Sequence, residues 1–386
     1  MRIFYFARID IEGNDAGTRH VFETCKQFAS MGHETFLFIP DLGATRKLPG
    51  ISIVQVPVFI RKPAFTYFSF HAVLFFYLLY YCLTSKPDIV YTRQQTLEWW
   101  ATWLKVIFRF RYAIEVNGLP LIELKMSQAS GWVSSVTRIM EWICYRFPDY
   151  WVVPTTQIRD FLCKEYRLDP KLFLVVSNGA DADIFYPMEQ GSCRDQLGLS
   201  GNTKYLLFMG GFKKWHGILD LIEIMPDLVD SNSNITLLLV GEGELIAGLQ
   251  ARVDVLGLKD NVIFCGRRPL AEMPVYINAA DICLAPFFDE RSPHTGLSPL
   301  KLFEYMACGK PVIASALGGL DEIFKTHDIG EVVSSPDPKK WTMIILSLLN
   351  NPERMKSCGD NGRKAVLEKF NWKTISEKIL NHLAGN

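Results

Sequence analysis

What this chain lacks narrows its chemistry before any motif is read. It carries no excess charge of either sign: Lys plus Arg and Asp plus Glu each number 41 in 386 residues. Binding a polyanion over the whole surface needs clustered positive charge, so that class is excluded and only a local basic patch stays open. None of the nine cysteines stands in a C-x-x-C pair. An odd number of scattered thiols suits neither a disulfide framework nor a zinc site; it fits buried, reduced thiols. The motifs G-x-x-x-x-G-K-[ST], H-E-x-x-H and G-x-S-x-G are all missing, which removes ATPase, zincin and nucleophile-elbow hydrolase readings. The opening apolar run Ile3–Ala7 meets Arg8 and Asp10 too soon for a secretion leader, so the expected location is the cytoplasm.

What is present is a rhythm. Short β-rich runs (Ile3–Ala7, Thr35–Ile39, Asp88–Tyr91, Tyr112–Val116, Trp151–Val153, Leu172–Val176) alternate with helical patterns. The first helix shows one apolar stripe in Val21, Phe22, Cys25, Phe28 and Ala29, and Met31-Gly32-His33 stops it. A polar stretch, Met188–Asn202, reads as a linker. The rhythm then restarts with Tyr205–Met209, Ile235–Val240, Val262–Cys265, Ile282–Ala285 and Pro311–Ala314. Strands alternating with helices imply right-handed βαβ units and parallel sheets. The expected fold class is therefore α/β, two doubly wound Rossmann-like domains facing a cleft, with residues 1–187 in the first and 188–370 in the second. Ligands of such sheets sit at the carboxyl ends of strands, so the loops there are where chemistry belongs.

Two of those loops look built for phosphate. In Ser298–Ala314 (SPLKLFEYMACGKPVIA), Ser298 reads as an N-cap, Pro299 as the first helical residue, and Gly309 as the stop. The free N–H groups of such a helix start suit a diphosphate, Lys301 adds a cation, and Glu304 suits ribose hydroxyls. An ordinary capped helix with a surface Lys301–Glu304 pair explains the pattern equally well. In Met209–Gly217 (MGGFKKWHG), glycines Gly210 and Gly211 let the backbone approach a phosphate, and Lys213 with His216 would neutralise it. The plain alternative is a tight βα turn with solvated lysines. Gly241-Glu242-Gly243 also follows a strand, but the G-x-G-x-x-G spacing is absent and the signal is weak. Asp181 and Asp183 beside Asn178-Gly179 read as turn residues before they read as metal ligands.

Taken together these motifs resemble the family 4 retaining glycosyltransferases of the GT-B fold, over most of the chain. The opening loop with Gly13 and Gly17, the Gly32-His33-Glu34 turn, the Asn178–Pro187 crossing and the Glu304–Val312 run carry the resemblance. It implies transfer of a sugar from a nucleoside-diphosphate sugar with retained configuration, without metal or cofactor. It implies donor contacts from Gly17, Gly210, Gly211, Lys213, Gly266, Arg267, Leu297, Ser298, Pro299, Lys301 and Glu304. It also implies that the C-terminal helix, residues 371–386, returns to the first domain. Three positions depart from the pattern. The first Glu of the family's paired acidic motif is Gly296, a place that Asp289, Glu290 or His294 would have to fill. The loop's usual Arg and Lys fall on Gly211 and His216, so Lys213 is expected to restore the charge. Where many members place a catalytic His this chain has Asn117, within Glu115-Val116-Asn117-Gly118. Lys213, His216 and Asn117 are thus the expected catalytic residues. Two other readings stay open: a nucleotide-sugar epimerase on the same scaffold, and an inactive GT-B scaffold subunit without nucleotide affinity.

The first half holds one further anomaly. Ala64–Leu83 runs twenty residues without a charge, long enough to span a bilayer, yet it lies between two strands of a wound sheet. A helix packed on the sheet and an interfacial helix flanked by Arg61-Lys62 and Lys86 both fit. Trp99-Trp100 and Trp103 lead into Lys105, Arg109 and Arg111. From Arg46 to Arg146, twelve Lys and Arg stand against five Asp and Glu. That local excess suggests attraction to anionic lipid. The expected partners are a nucleotide-sugar donor, a glycan or lipid-linked acceptor and the cytoplasmic membrane face, with no nucleic acid.

Overall fold

The computed structural model describes residues 1–13, 15–59, 63–94, 99–126, 131–287, 295–334 and 337–385; the side chains of 63–68, 99, 100, 102, 123, 125 and 126 lie outside that description. The chain divides into two compact units, Met1–Ser177 with Trp372–Asn386, and Asn178–Asn371. The division falls at Ser177/Asn178, ahead of the Met188 boundary read from the sequence. Phe185 belongs with the second unit because its backbone carbonyl accepts from Arg363 at 2.8 Å and its ring lies in that unit's core.

In the first unit, seven parallel strands run in the order β3-β2-β1-β4-β5-β6-β7 among the described residues. They are β1 (Arg2–Phe6), β2 (Glu34–Pro40), β3 (Ile51–Val56), β4 (Ile89–Arg93), β5 (Arg111–Glu115), β6 (Tyr150–Val153) and β7 (Phe173–Val175). The order reverses direction between β1 and β4, which makes that pair the switch point. Helix Ala16–Ser30 follows β1, capped by Asp15, whose carboxylate accepts the Gly17 and Thr18 N–H groups at 2.8 and 3.0 Å. The closing helix, Trp372–Ala384, packs on Ala16–Ser30 and β6.

The second unit repeats the scheme. Its strands β8 (Lys204–Met209), β9 (Ile235–Val240), β10 (Val262–Gly266), β11 (Ile282–Ala285), β12 (Val312–Ser315) and β13 (Gly330–Val333) order as β10-β9-β8-β11-β12-β13, all parallel. The switch point here lies between β8 and β11. Central strands read as near-continuous apolar runs because both faces are covered; every residue of β9 is buried, Thr236 included. All nine cysteines are free thiols, seven of them buried. Burial pushes Cys265 up to about 11 and both Cys82 and Cys308 up to about 12.

The long apolar run forms helix Pro63–Ser85. Its side chains Phe70, Leu74, Leu78 and Cys82 are buried against the sheet, while Phe76, Tyr80 and Leu83 stand out of it. Among the described residues no helix is long and apolar enough to cross a membrane. Arg61 and Lys62, expected to flank the helix, lie outside the described residues.

Candidate functional site

In the second unit the loops after β8 and β11 converge on one side chain. Helix Leu300–Ala307 follows β11, and every one of its residues is buried. Its last turn is pinned twice. The Met209 N–H donates to the Tyr305 hydroxyl at 2.8 Å, and Arg363 donates to the carbonyl of Ala307 at 2.9 Å. Lys301 lies in its first turn, only 9% exposed, and its Nζ has no hydrogen-bond or ion-pair partner among the described residues. The ammonium sits 4.0 Å from the centre of the Phe208 ring and 5.5 Å from that of Phe287. Cation–π contact with two rings supplies only part of what water gave it. Burial lowers the Lys301 pKa to about 7.

Gly210 in the β8 loop is explained by this cation, and Gly241 by the close approach of the two loops. A Cβ on Gly210 would stand 2.8 Å from Lys301 Nζ, at a φ of 141° that side chains rarely adopt. The Gly241-Glu242-Gly243 turn is a packing device: a Cβ at Gly241 would meet the Gly210 carbonyl at 1.9 Å. The Phe212 N–H binds the Glu242 carbonyl at 2.8 Å, so the two loops interlock. His216 Nδ1 lies 2.5 Å from the Gly211 carbonyl, and its ring centre 5.9 Å from that of Phe287.

Two residues differ from their expected roles. Ser298 is not the N-cap. The helix starts at Leu300, the cap position falls on Pro299, and no side chain caps it. The Ser298 hydroxyl instead accepts the Asn178 N–H at 2.8 Å, a contact 120 residues away in sequence. The first-turn amides therefore stay uncapped, which favours an anion there. Lys213, 41% exposed, pairs with Glu244 at 3.6 Å at the loop's surface, while the buried cation beneath the loop is Lys301. Nor is Lys301 half of a surface pair, since Glu304, at 1% exposure, is buried with it.

The other expected donor residues surround this point less closely. The Leu297 N–H binds the Gly318 carbonyl at 2.9 Å. The carbonyl of Gly266, a residue at φ 69°, accepts from Gly241 at 2.9 Å. Arg267 is exposed, with its N–H 3.4 Å from Glu242. Asp289, Glu290 and His294, weighed for the place of Gly296, lie outside the described residues. The Asp181 carboxylate accepts the Asp183 N–H at 3.0 Å, as a turn residue does.

Gly17 and Asn117 belong to the first unit, where an unforeseen cluster surrounds them. Glu115, at the end of β5, is 1% exposed. It accepts hydrogen bonds from the hydroxyls of Tyr5 and Tyr91 at 3.1 and 2.9 Å. His20 Nε2 lies 2.9 Å away and Arg93 Nη1 3.4 Å away, and the Asn117 amide nitrogen also donates to it. Burial pushes its carboxyl up, but the charge and hydrogen bond of His20, with Arg93 and Asn117, hold it well below the usual carboxylate range. The carboxylate can only accept, so it turns the NH₂ of Asn117 toward itself and leaves the amide oxygen to face elsewhere. A Cβ on Gly17 would lie 3.5 Å from Arg93 Nη2. The His20 ring also meets Trp372 edge-on at 5.0 Å.

The Glycosyltransferase Family 4 model matches residues 17–184, and the Glycosyl transferases group 1 model matches residues 190–365. The D-inositol 3-phosphate glycosyltransferase of Segniliparus rotundus is 30% identical over 234 residues, 59% of this chain and 51% of that one. A GDP-mannose-dependent alpha-(1-6)-phosphatidylinositol monomannoside mannosyltransferase of Mycolicibacterium smegmatis is 29% identical over 213 residues, 54% of this chain and 55% of that one. The chain thus spans about half the length of the curated relatives it matches. The crystal structure of Anabaena HepE in complex with UDP superposes with a TM-score of 0.79 at 17% identity, each chain covered in full. Two wound parallel sheets, with family matches that together span most of the sequence, place the chain in the group 1 glycosyltransferases of family 4, on the GT-B fold.

Proposed function

We propose that the chain transfers a sugar from a nucleoside-diphosphate sugar to a hydroxyl of a lipid-linked acceptor at the inner membrane face, with retention, in building an envelope polysaccharide or glycolipid. The observation that carries the donor half is Lys301: a buried cation without a partner among the described residues, under a glycine loop and beside a helix start that no side chain caps. Leaving such a charge unpaired is costly, and a diphosphate in contact with it recovers that cost. The acceptor half leans on the relative named for phosphatidylinositol monomannoside, and the choice of donor class on that name and on the UDP in HepE.

In the reaction the bond between the anomeric carbon and the β-phosphate oxygen breaks, and the oxygen keeps the electron pair. Negative charge then grows on the diphosphate, where Lys301 and the first-turn amides of Leu300–Ala307 stabilise it, helped by Lys213 and His216 at the loop. The acceptor hydroxyl attacks from the same face, and its proton passes to the departing phosphate. This route calls on no metal or cofactor. Glu304, fully buried on the same helix, is the proposed partner of the ribose hydroxyls.

A thermal-shift panel with UDP, GDP, ADP and CMP tests the donor half. A ligand at about 100 times its dissociation constant stabilises by roughly 2.7 kcal/mol. One nucleotide should raise the melting temperature, and Lys301→Met and Glu304→Ala should each weaken that rise. No shift with any nucleotide would transfer support to the inactive-scaffold reading.

A further inference from the structure

Three helices of the first unit expose apolar side chains. On helix Trp99–Phe108 the buried positions include Ala101 and Leu104, while Trp103, Val106 and Ile107 are 65%, 76% and 66% exposed. Helix Pro63–Ser85 packs beside it and shows Phe76, Tyr80 and Leu83. Helix Gly131–Cys144, packed on its other side, is turned inside out. Its buried positions are Thr137, Glu141 and Cys144, and its exposed ones include Trp132, Val136, Ile139 and Trp142. Spacings of four, three and three residues put those four on one stripe.

A water-facing helix does not normally orient itself this way, because the apolar stripe would gain by turning inward. Here the polar side is held in place: the Tyr166 hydroxyl donates to the Glu141 carboxylate. Apolar faces this continuous mark a docking surface.

The charges beside the face say what docks. The Arg146 guanidinium lies 5.2 Å from the centre of the Trp142 ring, at the edge of the stripe. Behind Val106 opens a cavity of about 680 Å³, lined by Lys105, Arg109 and Arg111 with Phe147 and Leu172. The Asp149 carboxylate, 2.6 Å away, neutralises Lys105. Arg109 is exposed, and its guanidinium has no hydrogen-bond or ion-pair partner among the described residues, while the Arg111 guanidinium donates to the Leu383 carbonyl at 2.9 Å and meets no carboxylate among them. Two unneutralised guanidiniums with an apolar rim match a phosphate that carries hydrocarbon chains.

We propose that the helices Pro63–Ser85, Trp99–Phe108 and Gly131–Cys144 form the surface by which this chain docks on an anionic phospholipid bilayer, their aromatic and aliphatic side chains entering the interface and Arg109 and Arg111 taking a lipid phosphate. Tryptophan and arginine are the side chains that settle at the headgroup level, and each basic residue there adds attraction to an anionic surface. A membrane-anchored acceptor then reaches the chain by diffusion in two dimensions. The inference rests on the lipid-linked acceptor proposed above and names the surface that serves it.

Vesicle flotation of the full chain tests it, with phosphatidylcholine alone or with 30% phosphatidylglycerol, at low and high salt. Wild type should float with the anionic vesicles and be released by salt. Partitioning should fall at least tenfold in Trp132→Ser/Ile139→Ser and in Arg109→Glu/Arg146→Glu, with unchanged melting temperatures. No binding, or binding that both variants retain, would overturn the proposal. So would a dimer in light scattering that the Trp132→Ser/Ile139→Ser variant abolishes, because a second copy would then cover the face. The UDP, GDP, ADP and CMP shifts, measured on the same variants without vesicles, keep the two ideas apart. Lost flotation with an intact nucleotide shift sinks only the surface; flotation without any shift sinks only the donor reading.

Discussion

Glu115 and Lys301 are both buried at the carboxyl end of a parallel sheet, yet their surroundings are opposite. Glu115 has two tyrosine hydroxyls, an imidazole, a guanidinium and an amide around its two oxygens. Lys301 has two aromatic rings and, among the described residues, nothing to bond. A buried charge whose valences are filled by its own chain belongs to the architecture, and removing it leaves its partners stranded. A buried charge left open awaits something the chain does not contain. The first unit has used its charge to hold itself together, and the second, on the function proposed above, keeps its charge for a ligand.

Breaking the filled site should have the largest effect. Glu115→Ala takes the carboxylate away from His20, Arg93 and the two tyrosine hydroxyls and should cost about 3–5 kcal/mol of stability in a urea titration; a loss below about 1 kcal/mol would dissolve the contrast. Breaking the open site should do the reverse. Lys301→Met should leave the empty protein as stable as before or slightly more so, while removing most of the roughly 2.7 kcal/mol that saturating nucleotide confers. Gly210→Ala puts a methyl against the ammonium and strains the backbone. About 1–3 kcal/mol of stability should go, and nucleotide binding should weaken with it.

The contrast also predicts a response to pH. The empty site's ammonium loses its proton as pH rises through about 7, and a bound diphosphate restores it. Binding therefore takes up a proton, and affinity should fall by up to about tenfold per pH unit above neutrality. Calorimetry at pH 7 and 9 measures this, and the slope should vanish in Lys301→Met. The empty protein changes in the opposite sense. An unfolded lysine keeps its proton to about 10.4, so this group makes the fold more stable as pH rises between those values. The smallest effect expected is that of Ser298→Ala, which removes the acceptor for the Asn178 N–H and should cost about 1 kcal/mol without altering the pH slope.

How far the sequence discloses this molecule depends on distance along the chain. Interior strands such as β9 are legible because burial on two faces demands a near-continuous apolar run. The edge strands β3 and β13 escape that reading. Ile51–Val56 alternates and is half exposed, and Gly330–Val333 is four residues long and opens on a glycine at φ 148°. The helix at Leu300 is legible, but its cap is not, because Asn178 takes the Ser298 hydroxyl from far upstream. Lys213 looked like the loop's cation because it is inside the motif, while Lys301 reaches the same loop from 91 residues further on. The Glu115 cluster had no local signal at all. Its members come from β1, the first helix, β4 and β5, and only the parallel register brings them together.

The buried thiols have a practical corollary. Nine cysteines would ordinarily forbid site-selective labelling, but here each resolved shift runs upward, away from the reactive thiolate, and seven of the side chains are shielded from reagent. At neutral pH a maleimide dye should find little to attack in the native protein. Ile139→Cys would then carry the label almost alone, and an environment-sensitive dye at that position would register the passage from water to lipid directly.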